Sequence, residues 1–438
     1  MTATTTVFVD SSPAYCLPSG WSEVPVERLI EKHFCGPSPD CEERELMSDE
    51  EWGVLKTTAI TWDGWNETAH KLLPTKYWNR HHLEIHHGDV LITKAGPRDR
   101  VGVVVHVTTQ PRHLIVSGKM IALRARSAVV MPQILSGVLA LRETQDFLQA
   151  RTTGMAESQV NFANTVLLNT KVRIPPFKEQ ILIAEVLDVL EAAIQGARVV
   201  LAKLKQVKSG LYHNLLTFGL DQHGGLRDPV RCPEQFQDSS CGKVPVDWEV
   251  LPFLSLCKFP TGQVDPRREP YRDWPLIAPD HIEMCTGRLL KLETAAEQGA
   301  ISGKYVCEAG DVVYSKIRPY LRKAVLADRE GLCSADMYPL RPSDRMNPRF
   351  LLMMVLGEAF SQFAVSVSER SGFPKINREE LTSCKLAVPQ RAEQDRVAEL
   401  AQTFEARLAH EEVAVQKLKL LQRGLARNVL TGRIRVRA

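Results

Sequence analysis

A chain of 438 residues is long enough for two or three domains with ordinary cores. Hydrophobic residues at 44% and charged residues at 24% match a globular protein, and no run of about 18 apolar residues offers a membrane span. The formal net charge of +3 is too small to establish a nucleic-acid partner, so any electrostatic footprint must be local.

The N-terminal MTATTTVFVDSSPAYC lacks a basic start followed by an apolar core, which argues against a secretory leader. Ten cysteines in that context predict reduced thiols and a cytoplasmic protein. Next comes Pro18-x-x-Trp21-x-x-x-Pro25, then HFCGPSPDC (His33–Cys41), which has no second cysteine pair at zinc spacing. On a strand, HHLEIHH (His81–His87) would set His82, Glu84 and His86 on one face. That pattern suits a metal, but an exposed polar strand or phosphate-contacting edge is the commoner outcome, and no metal site is expected. GDVLITK (Gly88–Lys94) followed by VGVVVHVTT reads as a β-hairpin. Its connection, TKAGPRDRVG, supplies Lys94, Arg98 and Arg100 as candidate DNA contacts: arginine reads guanine edges by bidentate bonds, and lysine more often holds phosphate.

From Pro176 the period changes. Ile183, Leu187, Leu190, Ile194, Ala197, Leu201, Leu204, Leu211 and Leu215 step by fours and threes, a heptad-like stripe interrupted at Lys208. The 38 residues from Gln180 to Thr217 predict a rod of about 55 Å. The following GLDQHGGLRDPVRCPEQFQDSSCGKVP reads as a linker or an ordered loop over a domain. Pro245-x-x-Trp248-x-x-x-Pro252 opens the second half, and GDVVYSK (Gly310–Lys316) then KAVLADR repeats the hairpin pattern. SKIRPYLRK supplies Lys316, Arg318, Tyr320, Arg322 and Lys323 as the second cluster of DNA-contact candidates. DPRREPYRD (Asp265–Asp273) and SERSGFPK, with Arg370 and Lys375, are weaker because acidic neighbours dilute their field. For each cluster the bland alternative is a solvated charged hairpin. RFLLMMVLGEAFSQFAV (Arg349–Val365) has a helical pattern. Past Pro389, the residues Val397, Ala401, Phe404, Leu408, Val415, Leu418, Leu425 and Val429 form a second stripe, followed by a basic GRIRVRA that could extend a basic surface or fray.

These halves repeat one another. The proline–tryptophan motif recurs 227 positions on, GDVLITK 222 on, and Glu179-Gln180 recurs as Glu393-Gln394 at 214. LAKLKQVKSGLYHNLLTFG (Leu201–Gly219) matches VQKLKLLQRGLARNVLTGR (Val415–Arg433) at the same 214. The chain is a tandem duplication of one unit, a globular part and then a helix. Gly210 and Gly424 recur inside the helices at a cost of about 1 kcal/mol each, which suggests close backbone approach or a break. The helical cations (Lys203, Lys205, Lys208, Lys417, Lys419, Arg423, Arg427) are most simply a solvated face, or else a surface that grips a partner or DNA.

In order, the segments P…EQ…IAE.LD…LAKLKQVKSGL..NLLT.G.D, G.RDP…PE.F.DS..G.VP..WEV, GDVVYSKIRPYLRKAVL and SGFPKINREELTSCKLAVP resemble the specificity subunit of type I restriction–modification systems across almost the whole chain. The resemblance implies an α+β fold: two mixed α/β target-recognition domains in tandem, separated by two long helices packed as an antiparallel coiled coil in a pseudo-twofold duplication. The corresponding boundaries are recognition domains at 1–172 and 244–386, helical regions at 173–218 and 387–438, and a linker at 219–243. It further implies a non-catalytic subunit that binds double-stranded DNA, two adenine methyltransferase subunits and restriction subunits. S-adenosylmethionine would then belong to the methyltransferase partner, and ATP with Mg to the restriction partner. A rod of about 55 Å covers roughly one and a half turns of B-DNA, so two readers held at its ends would contact two short blocks across an unread gap. Because the loops Lys94–Arg100 and Lys316–Arg322 differ, the complete target should be asymmetric.

Enzymatic alternatives fare poorly. IPPF (Ile174–Phe177) lacks the Asn or Asp that would hold a target amine, and NPRF (Asn347–Phe350) lacks the second proline. No Phe-x-Gly-x-Gly segment follows a strand, and no Gly-x-x-x-x-Gly-Lys-Ser/Thr loop occurs. The main rival is a helical scaffold of a defence complex that does not read sequence.

Overall fold

A computed structural model describes residues 6–9, 17–368 and 374–437. The chain divides into two compact units, 1–198 with 414–438, and 199–413. Each therefore holds one globular part and a half of each of two long helices, Phe177–Thr217 and Arg391–Leu430.

In the first unit a four-stranded antiparallel sheet runs in the order Val104–His106, Val90–Thr93, Met120–Ala125, Ile30–Phe34. Its central strand is buried along its whole length. Val90 and Ile92 face a core shared with Ile134, Leu135 and Val138 of helix Pro132–Ala140; Leu91 faces another built on Trp52, Leu55 and Ile60. A strand covered on both faces needs apolar residues at every position, which is why GDVLITK reads as a run and not an alternation. Asp89 at its start is only 2% exposed. It is paired bidentately by Arg124 at 2.8 Å and capped by the His86 N–H at 2.8 Å.

The second unit repeats this plan. Its sheet runs Cys257–Lys258, Met337–Pro342, Val312–Ser315, Ala324–Leu326. Val312 and Tyr314 face a core with Phe350 and Leu351, and Val313 faces another with Ile277 and Met337. Asp311, 1% exposed, takes Arg341 at 3.0 Å through both oxygens and the Glu308 N–H at 2.9 Å. The two expected hairpins form, with Val104 opposite Ile92 and Val313 opposite Val325. RFLLMMVLGEAFSQFAV is not one helix. It splits into Pro348–Leu356 and Glu358–Ser368 with a bend of 55°. Gly357 takes an extended backbone at the break, where an added Cβ would come within 2.9 Å of Leu216.

The long helices pack antiparallel inside each unit. In the first, Ile183 shares a core with Val429 and Leu430, and Gln422 donates to Glu191 at 2.8 Å. In the second, Tyr212 donates to Glu405 at 2.8 Å, Lys208 pairs with it at 3.1 Å, and Lys205 pairs with Glu412 at 2.8 Å. Rising numbers on one helix meet falling numbers on the other. Gly210 and Gly424 lie within unbroken helix, with open space where a Cβ would stand, so they mark neither a break nor a close approach.

The repeated Glu-Gln at each helix start has a structural task. Gln180 donates to the carbonyls of Val129 and Pro175 at 3.0 Å and accepts from the Met131 N–H at 2.9 Å; Gln394 does the same with Arg345, Pro389 and Asn347. Glu179 accepts from Trp21 Nε1 at 3.1 Å and from Arg435 at 2.8 and 2.9 Å. Glu393 accepts from Trp248 Nε1 at 3.4 Å and from Arg227 at 2.9 and 3.2 Å. In each unit, the arginine that clamps the start of one long helix comes from the segment following the other. Within GRIRVRA, Ile434–Arg437 does not fray but pairs with strand Thr6–Val9, and Arg435 is 5% exposed, turned into the clamp and not onto a basic surface. Likewise the segment after the first helix is ordered, with a hairpin of Phe236–Ser239 and Gly242–Pro245.

A second tie joins each globular part to its helix pair. Asp63, on a loop of the first unit, takes Lys419 at 2.7 Å and Arg198 at 3.3 Å. In the second unit the signs are reversed: loop residue Arg288 reaches Glu412 at 2.9 Å. Hydrogen bonding from Lys419 holds the Asp63 carboxyl below its ordinary range, and hydrogen bonding from Lys205 does the same for Glu412. Lys205, Lys208 and Lys419 are therefore engaged in ion pairs within the protein, not simply solvated.

Candidate nucleic-acid interface

In each unit the buried central strand delivers a basic loop at its C-terminal end. In the first unit that loop pairs with Gln159–Asn161, setting Gly96 opposite Val160, and then makes a 3₁₀ turn over Arg98–Arg100. Lys94 is half-buried and donates to Asn164 Oδ1 at 3.2 Å. Arg100 turns inward and feeds the carbonyls of Thr57 and Ile60 at 2.9 and 3.0 Å. Arg98 stays exposed, held by Glu157 at 2.6 Å and Thr152 at 3.3 Å. Of the three candidates, Arg98 alone presents an exposed side chain.

The second loop is built differently. Arg318 and Arg322 both adopt left-handed backbone, with φ of 47° and 45°, on either side of a 3₁₀ turn at Pro319–Leu321. Non-glycine residues there cost of order 1 kcal/mol each and persist where the surroundings over-determine them. Here the Arg318 N–H is fixed to the Pro374 carbonyl at 2.8 Å, and Arg322 Nε to Ser361 Oγ at 2.9 Å. The turn displays Tyr320, 54% exposed, beside an open hollow of about 420 Å³ lined by Tyr320, Arg322, Ser361, Gln362, Val365 and Ser366. Lys323 points inward to the Pro279 carbonyl at 2.7 Å. Lys375 is exposed and bridges Ile317 across the loop. Arg370 lies outside the described residues.

Lys316 is 8% exposed and stacks its ammonium over the Tyr338 ring at 5.1 Å. Burial lowers its pKa from the ordinary lysine value, and the nearby charges of Lys375 and Arg378 lower it further, against a smaller opposing effect of Asp336. Arg378, which is not among the candidate contacts, sits over Phe259 at 4.9 Å, Tyr338 at 5.5 Å and Tyr305 at 5.9 Å. Its signals in the sequence are its place in SGFPKINREELTSCKLAVP and the repeat register, which sets it opposite Asn164 at 214 positions.

HHLEIHH is not the strand expected. His81–Leu83 forms a 3₁₀ turn, and Glu84 is engaged by His81 Nδ1 at 3.2 Å and the His113 N–H at 2.9 Å. The alternation on which a shared face depended is absent.

No family model matches the chain. Among curated proteins, it is 29% identical over 243 residues to the EcoDI specificity subunit of a type I restriction enzyme from Escherichia coli, covering 53% of this chain and 54% of that protein. It is 33% identical over 196 residues to the EcoEI specificity subunit of the same organism, covering 43% of this chain and 33% of the relative. The MjaVIII specificity subunit of Methanocaldococcus jannaschii is 22% identical over 340 residues, 74% of this chain and 75% of its own. The matched region thus spans about half of the EcoDI protein and a third of the EcoEI protein. Among solved structures, a chain described for complex assembly and conformational transition of a type I restriction–modification system superposes with a TM-score of 0.56 at 17% identity, covering 95% of this chain and 99% of the other. The S subunit of such a system from M. genitalium superposes with a TM-score of 0.52 at 11% identity, covering 95% and 98%. The chain is homologous to type I specificity subunits and shares their fold of tandem mixed domains and long paired helices.

Proposed function

We propose that this chain is the DNA sequence-recognition subunit of a type I restriction–modification complex. It performs no chemistry itself. It binds an asymmetric, two-part target and positions adenine methyltransferase subunits, two per chain, together with restriction subunits. S-adenosylmethionine is then the methyltransferase's cofactor, and ATP with Mg the restriction subunit's; the assembly works in the cytoplasm. Residues 1–172 and 244–386 are the two recognition domains, 173–218 and 387–438 the helical regions, and 219–243 the linker.

The observation that carries this reading is one duplicated scaffold presenting two unlike loops. The buried strand, its Asp–Arg anchor and the Trp–Glu–Arg clamp recur almost atom for atom. The loops do not: the first presents Arg98, and the second presents Tyr320, Arg322 and Lys375. Equal scaffolds with unequal readers suit two different base blocks. Lys94, Arg100 and Lys323, spent on neighbouring atoms, shape these loops, while Lys316 and Arg318 sit at the base of the second. The long helices also carry outward apolar side chains, Val189 and Leu420 in the first unit and Val199 and Val413 in the second, each more than half exposed. These suit docking of the methyltransferase subunits.

The test is to express the chain with its cognate methyltransferase and sequence the modified bases. A split, asymmetric adenine motif is the expected result. Binding that stays specific for that motif over scrambled duplex at raised salt separates a reader from a scaffold that lacks sequence preference.

A further inference from the structure

The duplication provides an internal control for one residue position. Phe162 and Ile376 occupy equivalent places, because their N–H groups donate to the carbonyls of the equivalent lysines, Lys94 at 3.1 Å and Lys316 at 2.9 Å. Leu167 and Leu381, 214 positions apart like that pair, are both buried. This register equates Asn161 with Lys375 and Asn164 with Arg378.

In the first unit the lysine has a neutral partner: Lys94 Nζ donates to Asn164 Oδ1. In the second unit both neutral positions have become cations. Among the described residues, no hydrogen bond or ion pair reaches the Lys316 ammonium or the Arg378 guanidinium; the two flank the buried Tyr338 ring at 5.1 and 5.5 Å. Two further positive groups, Lys375 and Arg378, act on a lysine that is nine-tenths buried, with Asp336 as the carboxylate acting on it, and the three cations repel one another when the site is empty. Such an arrangement is stabilised by a bound anion. Aromatic rings fix where the cations sit, since Arg378 is also held over Phe259 and Tyr305.

We infer that Lys316, Lys375 and Arg378 form a phosphate-binding site in the second recognition domain, filled by a backbone phosphate of the duplex, and that the first domain has closed the equivalent site with Asn164. This rests on the DNA-binding reading and gives it an asymmetry of grip besides an asymmetry of base contacts.

The test uses the full chain in complex with its methyltransferase subunits and follows the salt dependence of duplex affinity. Arg378→Asn copies the residue of the sister domain, so the fold already accommodates it; Lys375→Gln is an exposed second variant. Each should lower the slope of log affinity against log salt by about 0.9 and leave sequence preference unchanged. Raising salt from about 50 to 200 mM should then weaken the variant roughly threefold less than the parent. Asn164→Arg should raise the slope by a similar amount. In parallel, lysine Cε resonances are followed with duplex and with orthophosphate alone; either anion should raise the Lys316 pKa in the parent. Unchanged slopes in both second-domain variants overturn the backbone-phosphate assignment, and a response to orthophosphate alone makes the source a free anion. A parent complex that binds no duplex removes the proposed function instead, and an Lys316 resonance indifferent to both anions removes the site.

Discussion

Replacing Arg227 by Met tests the clamp that closes the second unit. Glu393 and Trp248 are 5% and 3% exposed, and the Arg227 side chain 8%. The substitution removes both guanidinium bonds to Glu393, at 2.9 and 3.2 Å, and leaves a buried carboxylate served by the Leu220 N–H at 2.8 Å and Trp248 at 3.4 Å. Stranding a buried charge in this way costs about 3–5 kcal/mol. For a unit of this size, that is a fall in Tm of roughly 10 °C. Adding Glu393→Gln to the same chain removes the stranded charge and should recover more than half of the loss. Urea unfolding of the single and double variants reads both numbers as a double-mutant cycle. A single variant within about 0.5 kcal/mol of the parent, or a double variant no better than the single, would refute the claim that this pair locks the start of one helix to the segment after the other.

Other outcomes follow from the same packing and hydrogen bonding. Gly210→Ala and Gly424→Ala, in helix with open space at each Cβ, should each stabilise the protein by about 1 kcal/mol in thermal unfolding. Arg100→Ala orphans two carbonyls and should destabilise by roughly 1–3 kcal/mol, whereas Arg98→Ala should leave Tm within a degree or two and weaken duplex binding in a filter or anisotropy assay. The Asp63 carboxyl is depressed by Lys419, so the tie is intact above the ordinary aspartate range of about 4 and is lost as pH falls through its folded value. Carboxyl NMR titration should therefore place Asp63 below free aspartate, and Lys419→Gln should return it to the usual value.

Much of this architecture is legible in the sequence where one physical signal dominates. The stripes from Ile183 to Leu215 and Val397 to Val429 predict two long helices, because a helix buried along one seam needs apolar residues every three or four positions. The duplicated order of motifs exposes the tandem layout. Less is legible where a residue's role depends on a distant partner. Arg100 and Lys323 look like solvent-facing cations, but feed carbonyls far away in sequence. Glu179 and Glu393 recur conspicuously, yet their arginines lie 256 and 166 positions away on segments that read as a loose tail and a linker. Gly357 hides inside an apolar run whose composition continues smoothly across the bend. Arg378 lies in the quoted SGFPKINREELTSCKLAVP, but its contrast with Asn164 shows only when the halves are overlaid residue for residue.

The joints that hold each globular part together, Asp89 with Arg124 and Asp311 with Arg341, lie at the opposite end of the central strand from the loop it delivers. Arg100 in the first loop and Arg318 and Arg322 in the second are tied to the surrounding framework, but the exposed side chains of Arg98 and Tyr320 contribute nothing to those joints. A substitution confined to Arg98 or Tyr320 therefore changes what one half offers a ligand while its sister, and the folding of both, stay as they are.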